Sequence, residues 1–308
     1  MTHPTSPALT PRQAARALGV EPTGIRFLAR RVNTHWRVAE GERRLVLRRY
    51  GRDDDATEAS ALWEAQAVAG IAACGLPVPE AIAGPIRLGD TVWALFPFLP
   101  GRHLGRAAVD APRYRRLGGT LADVHAATAA MPCPPQRPGF HEAVSGALPT
   151  TGGAPRRDAL LAVADHADAE LGRLLRRQVE ALEARDLPRV FADAPRRIVH
   201  ADFAPWNLRF QGGRLSALLD FELAHVDVEA MDLASARRGY HDAVVAGYLA
   251  RRPLPDAHIA ALDALWTGSM FTWIWTFLAE AERTGALDRT ALAWPVEQFA
   301  KTRPFAGG

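Results

Sequence analysis

The spacing of apolar residues switches between a strand period and a helical period along this 308-residue chain, and those switches constrain the fold more than any single residue does. Residues 24–50 alternate polar with apolar around two turn signals, Val32-Asn33-Thr34 and Glu40-Gly41-Glu42, a pattern that predicts three antiparallel strands. Ahead of them, Thr10-Pro11 reads as a cap with proline at the first helical position, opening a short helix that runs through Leu18 and stops at Gly19. Residues 57–74 then take a helical period, with Leu62, Ala65, Val68 and Ala72 on one face and Gly75 at its carboxy end. Strands return at 79–82, 86–88 and 91–98, with Gly89-Asp90 as a hairpin turn and Pro100-Gly101 as the stop. Past Gly101 helices dominate, at 112–127, 156–185 and much of 256–284, interrupted by a Pro/Gly-rich loop over 131–155. The expectation is an α+β chain in two parts: an antiparallel sheet with one long helix over 1–100, and a larger, mostly helical part over 101–308.

Short strands break the helical part once. Residues 197–200 enter a polar loop, and 208–210 and 215–219 flank the turn Gln211-Gly212-Gly213, so that Asp202, Asn207 and Asp220 stand at strand ends. A carboxylate, an amide oxygen and a second carboxylate around one cleft suit Mg²⁺ and phosphate, because Mg²⁺ takes few hard oxygens from protein and the rest from water and phosphates. With Asn207 and Asp220 as metal ligands, Asp202 is left to accept a proton from an attacking hydroxyl, and His200 to support the loop.

The strings His200-Ala-Asp202-Phe-Ala-Pro-Trp-Asn207 and Leu219-Asp220-Phe221-Glu222 resemble those of the aminoglycoside phosphotransferase and choline kinase family of protein-kinase-like small-molecule kinases. The resemblance implies a bilobal protein-kinase-like fold, with ATP, or GTP, and Mg²⁺ as the requirements of the reaction. It implies that residues 1–100 bind nucleotide and that 101–308 carry the catalytic loop and acceptor site. Asp202 then matches the catalytic aspartate, Asn207 and Asp220 the metal ligands, and His200 the histidine that braces the loop. Asp232 matches an aspartate that bonds the catalytic segment, and a helix N-cap is its other reading. Arg48 stands where relatives place a phosphate-binding cation, with Glu64 as its ion-pair partner. Arg49 competes for that role, and strand alternation sends the two arginines to opposite faces. The loop over 31–35 lacks the glycines of a phosphate clamp, leaving backbone amides and the side chains of Asn33 and Thr34. Residues 96–101 match the segment between lobes, where the carbonyl of Pro97 and the amide of Leu99 would pair with a nucleotide base. Glu222, glutamate where protein kinases carry glycine, favours a small-molecule acceptor.

Composition narrows the partners. A net charge of +3 from 37 basic and 34 acidic residues is too balanced for a nucleic-acid binder. Lys301 is the only lysine and stands near the carboxy terminus in what reads as a loose tail, so any internal cation must be arginine. No apolar run is long enough to span a membrane and the amino terminus lacks a signal-peptide pattern, which together predict a cytoplasmic protein with no membrane partner. Cys74 and Cys133 form neither a CxxC nor a zinc pattern. A hydroxylated small-molecule acceptor is expected on the helical part, where Trp266, Phe271, Trp273 and Trp275 crowd one segment and serve either as core or as an aromatic wall. Residues 220–308 carry −4 against +5 for 101–219, which suits a cationic acceptor contacted by Glu222, Asp227 and Trp273. Arg237-Arg238 suits instead an acceptor that also carries an anion. A non-catalytic nucleotide-binding protein of the same fold is the rival reading, since the glycine loop and the lysine are both missing.

Overall fold

The computed structural model describes residues 9–30, 33–51, 55–103, 111–145, 150–151, 154–155, 157–238 and 241–301. Arg31 and Val32 of the loop over 31–35 lie outside this set. Helix α1 (Pro11–Ala17) begins in a capping box: the Thr10 hydroxyl accepts from the Gln13 amide, and the Gln13 side chain accepts from the Thr10 amide. Strands β1 (Gly24–Arg30), β2 (Thr34–Glu40) and β3 (Arg43–Arg49) follow as the alternation predicts, then α2 (Asp55–Ala73), β4 (Ala83–Leu88) and β5 (Thr91–Pro97). They form one antiparallel sheet in the order β1-β2-β3-β5-β4.

Alternation gives the sheet two apolar faces. Leu45, Leu47, Trp93 and Leu95 pack with Ala14, Ala15 and Leu18 of α1. Val92, Ala94, Phe96 and Tyr50 pack with Ala61 of α2. Arg48 therefore falls on the α2 side, while the Arg49 guanidinium lies over Trp93 on the other. Two expectations fail here for physical reasons. Residues 79–82 are no strand, because Pro77 and Pro79 lack amide hydrogens and the Pro77 carbonyl accepts from Leu218, tying the segment to the helical part. On α2, Leu62 is 43% exposed, while Glu64 is buried beside Ala67, Val68 and Ile71. The inward face of that helix carries a charge, so apolar spacing alone misplaced it.

The second part contains β6 (Arg102–His103), α3 (Ala111–Thr128), the short pair β7 (Thr150–Thr151) and β8 (Ala154–Pro155), α4 (Arg157–Ala167), α5 (Ala169–Glu183) and α6 (Leu187–Val190). After these come β9 (Arg196–Val199), β10 (Leu208–Gln211), β11 (Arg214–Leu218) and β12 (His225–Val228). Helices α7 (Glu229–Arg237), α8 (Asp242–Leu249), α9 (Asp256–Ala260), α10 (Leu262–Thr284) and α11 (Arg289–Lys301) complete it. The helix expected over 156–185 is two, because the Asp168 carboxylate accepts from the amides of Glu170 and Leu171 and caps α5. The segment 256–284 divides likewise at Ala261. Lys301 is not in a loose tail; it ends α11, paired with Glu297 at 2.5 Å.

Two arrangements place the site. β10 and β11 form the predicted hairpin and β6 adds to its edge, whereas β9 pairs with β12, a strand the sequence pattern did not reveal. Helices α3 and α8 meet at Gly118 and Gly247, where a Cβ on either would collide with a backbone oxygen of the other helix. That close approach sets His125 of α3 against Tyr248 of α8, beneath the loop that follows β9.

Candidate active site

Arg48 and Glu64 meet as the sequence suggests, Arg48 Nη1 donating to Glu64 Oε1 at 2.6 Å with both side chains almost fully buried. A third member was not foreseen. Arg137 Nη2 donates to Glu64 Oε2 at 2.9 Å and its Nε to Ser60 Oγ at 2.7 Å, while Nη1 reaches the carbonyls of Phe221, Glu222 and Ala224 at 2.9–3.1 Å. Arg137 thus ties α2 to the backbone that carries Asp220. Only its place in the Pro/Gly-rich loop marked it beforehand, and a loop arginine gives no periodic signal.

The loop after β9 is held from below. Asp232 Oδ2 accepts from the His200 amide at 2.9 Å and Oδ1 from the Ala201 amide at 2.6 Å, and His125 bonds Asp232 from the other side at 3.2 Å. Burial pushes the Asp232 carboxyl upward, but these donors outweigh it and hold the group below the ordinary carboxylate range. Asp232 lies inside α7, whose N-cap is Val228, so the capping reading is overturned. The Asp202 amide donates to His200 Nδ1 at 3.2 Å, which fixes the ring proton on Nε2, where it is donated to the Leu219 carbonyl at 2.8 Å. His200 therefore links the residue before Asp220 to the loop that presents Asp202.

Asp202 is 27% exposed at its side chain, and both of its carboxylate oxygens are engaged. Asn207 Nδ2 donates to Oδ2 at 2.8 Å and to the Asp202 carbonyl at 2.9 Å; Arg238 Nη2 donates to Oδ1 at 2.5 Å. Ala201, Asp220 and Arg238 all hold positive φ, at 60°, 67° and 52°, and only Asp186 joins them among described non-glycine residues. Such conformations cost about 1 kcal/mol or more each and gather where surrounding structure enforces them.

Whether these residues suit Mg²⁺ and a nucleotide can be judged from their own atoms. With its nitrogen committed to Asp202, Asn207 offers its oxygen as the available donor atom. Burial raises the Asp220 carboxyl above its ordinary range, against the Arg48 guanidinium and reinforced by Asp202. Among the described residues no group of three or more His, Cys, Asp or Glu could hold a metal ion by itself. Among the described residues Arg48 Nε and Nη2 have no hydrogen-bond partner although both are buried, a cost that an anionic oxygen would remove. The set fits both groups.

The remaining predicted residues are distributed unevenly. Asn33 Nδ2 donates to Glu222 Oε2 at 2.6 Å and its Oδ1 accepts from the Gly51 amide, so this side chain is already used. Glu222 also lies 3.7 Å from Arg48, and burial together with Asp220 pushes its carboxyl up to about 7 against that cation. Thr34 is buried at the start of β2, opposite Arg49. Pro97 ends β5, and the Leu99 carbonyl accepts from Arg209 at 2.7 Å. Glu222 and Trp273 line one cavity of about 170 Å³ together with Arg48, Glu64, Arg137 and Phe140. Asp227 does not reach it: fully buried, it accepts from the amides of Ala143 and Val228 and supports backbone instead. Trp266, Phe271 and Trp275 are core, with Phe271 stacked on Trp275 at 5.1 Å. Arg237 is buried against Asp242 and Asp263, whereas its neighbour Arg238 faces Asp202.

Comparison with known proteins gives the family and the fold. Residues 24–265 match the model of the phosphotransferase enzyme family (APH). A homoserine kinase of Gluconobacter oxydans (strain 621H) is 31% identical over 245 residues, covering 75% of this chain and 73% of the relative. Among solved structures, the GDP complex of aminoglycoside 2'-phosphotransferase-IIIa superposes with a TM-score of 0.65 at 16% identity, over 95% of this chain and 98% of the other. A microcompartment-associated aminopropanol kinase gives 0.61 at 18% identity, over 94% and 93%. These relatives are small-molecule kinases with alcohol acceptors, and the fold is protein-kinase-like. No helix among the described residues is long and apolar enough to cross a membrane. On the extent of the family match and the identity to its curated relatives, the chain belongs to the APH phosphotransferase enzyme family.

Proposed function

We propose that this protein transfers the γ-phosphoryl group of ATP, with GTP as the alternative donor, to the hydroxyl of a small hydroxy amino acid of the homoserine type. The observation that carries the reading is Asp202, partly exposed at the end of a braced loop, with Asn207 on one oxygen and Arg238 on the other. Asn207 and Asp220 would hold Mg²⁺, which when bound neutralises charge on the transferring phosphoryl group. Arg48, held by Glu64, presents Nε and Nη2 to phosphate oxygens, and the carbonyl of Pro97 and the amide of Leu99 would pair with the base. The clamp over the phosphates falls to backbone around Asn33 and Thr34, since the Asn33 side chain is bonded to Glu222. Asp202 orients the acceptor hydroxyl and takes its proton as the new P–O bond forms. His200 keeps Asp202 and Asp220 in register and does not itself transfer a proton. The name carried by curated relatives supports homoserine, and the arginine cation beside Asp202 supports an acceptor with a carboxylate over a polycationic aminoglycoside.

Purified protein incubated with ATP, Mg²⁺ and a panel of L-homoserine, choline, amino alcohols and aminoglycosides tests this reading. ADP release matched mole for mole by O-phosphohomoserine is the expected result. Turnover confined to aminoglycosides or choline would overturn the acceptor class.

A further inference from the structure

Arg238 ends α7 in a left-handed conformation, φ 52°, at a position where helices ordinarily use glycine, and Gly239 follows it in the sequence. Its side chain is 11% exposed, with the guanidinium carbon 4.6 Å from the ring centre of Trp206 and 5.8 Å from that of Trp266. Two indole faces and a strained backbone thus hold one cation against Oδ1 of the catalytic aspartate. The neighbouring Arg237 meets two aspartates in the core, whereas Arg238 is turned to the carboxylate that the reaction needs.

We infer that Arg238 is the acceptor-recognition residue, which binds the carboxylate of an amino-acid acceptor and in doing so releases Asp202 Oδ1 to the acceptor hydroxyl. This rests on the phosphotransfer reading above and adds to it the group that selects the acceptor. With Asn207 on Oδ2 and Arg238 on Oδ1, both oxygens of Asp202 are engaged before any acceptor arrives. An incoming carboxylate offers the guanidinium a second anion, and the planar fork of arginine can pair with it through two parallel N–H groups. In homoserine four bonds separate the hydroxyl oxygen from the carboxylate carbon, a reach of about 5 Å. That span lets one molecule touch Asp202 and the guanidinium bonded to it at once. An acceptor without an anion leaves Arg238 on Asp202, and an ammonium-rich acceptor meets a like charge there.

The test compares L-homoserine with 3-aminopropan-1-ol, the same chain without the carboxylate, in the wild type and in Arg238→Gln and Arg238→Lys. The ratio of kcat/KM for the two acceptors is read within each preparation, so an incompletely folded fraction cancels. In the wild type the ratio should favour homoserine; in Arg238→Gln it should fall by ~10–100-fold, the worth of a charge-assisted hydrogen bond, mostly through the KM of homoserine. Arg238→Lys, which keeps the charge and loses the fork, should fall between. A ratio unchanged within about threefold in both variants, or a wild type indifferent to the carboxylate, overturns the role of Arg238 while leaving phosphotransfer standing. A wild type that turns over neither acceptor overturns the acceptor class and this inference with it.

Discussion

The site contains two arginine–carboxylate pairs built for opposite purposes. Arg48 and Glu64 are almost fully buried, each Glu64 oxygen takes a separate arginine, and Arg137 extends the cluster to three carbonyls of the segment that carries Asp220. Arg238 and Asp202 are more open, and no second arginine supports them among the contacts described. The first pair is over-determined, so it can hold a cation in place through a catalytic cycle. The second joins Arg238, held between two indole faces, to a single carboxylate that stays 27% exposed, and the open side of Asp202 is what an exchangeable pair requires. On the proposed reading one residue type serves as both frame and switch, in a chain whose only lysine ends α11.

Removing the frame should have the largest effect. Arg48→Met is expected to lower kcat/KM for ATP by ~10²-fold or more, since a preorganised donor to phosphate is lost, while Arg49→Met, on the α1 side over Trp93, should change it little. Steady-state kinetics with varied ATP decides between them, and equal losses would mean that the sheet face was misassigned. Next in size is stability. Glu64→Ala leaves Arg48 and Arg137 buried without their shared carboxylate and should cost about 3–5 kcal/mol in urea unfolding. Arg238→Gln, at a pair whose carboxylate stays partly solvated, should cost less, about 1–2 kcal/mol, in the same measurement. Comparable losses would remove the contrast between frame and switch.

Most of the frame was legible in the sequence because it depends on period and spacing. The alternation over 24–50 fixed both the strands and the opposite facing of Arg48 and Arg49, and strand ends at Asp202, Asn207 and Asp220 followed from turns and apolar runs. What escaped was held by contacts without a period. Arg137 acts from a loop, β12 is a four-residue strand that pairs with β9, and Asp168 splits a helix that its flanking apolar spacing would continue. Leu62 misled because α2 turns inward the face that bears Glu64. Asp227 misled in the other direction, an acidic residue near Asp220 that serves backbone amides rather than a ligand. Arg238 was visible as part of a basic pair, but nothing local distinguishes it from Arg237; only the turn at the end of α7 sends one to the core and the other to Asp202.

The proposed phosphotransfer requires Asp202 as the group that receives the acceptor proton. Rapid-quench measurement of a single turnover, with enzyme in excess over ATP and with L-homoserine present, isolates that step from product release. Asp202→Ala should slow formation of phosphorylated acceptor by ~10²–10⁴-fold, the usual contribution of a positioned base, with calorimetric affinity for ATP and Mg²⁺ kept within a few-fold. Transfer within about threefold of the wild-type rate in that variant would contradict the central claim, whatever the acceptor proves to be.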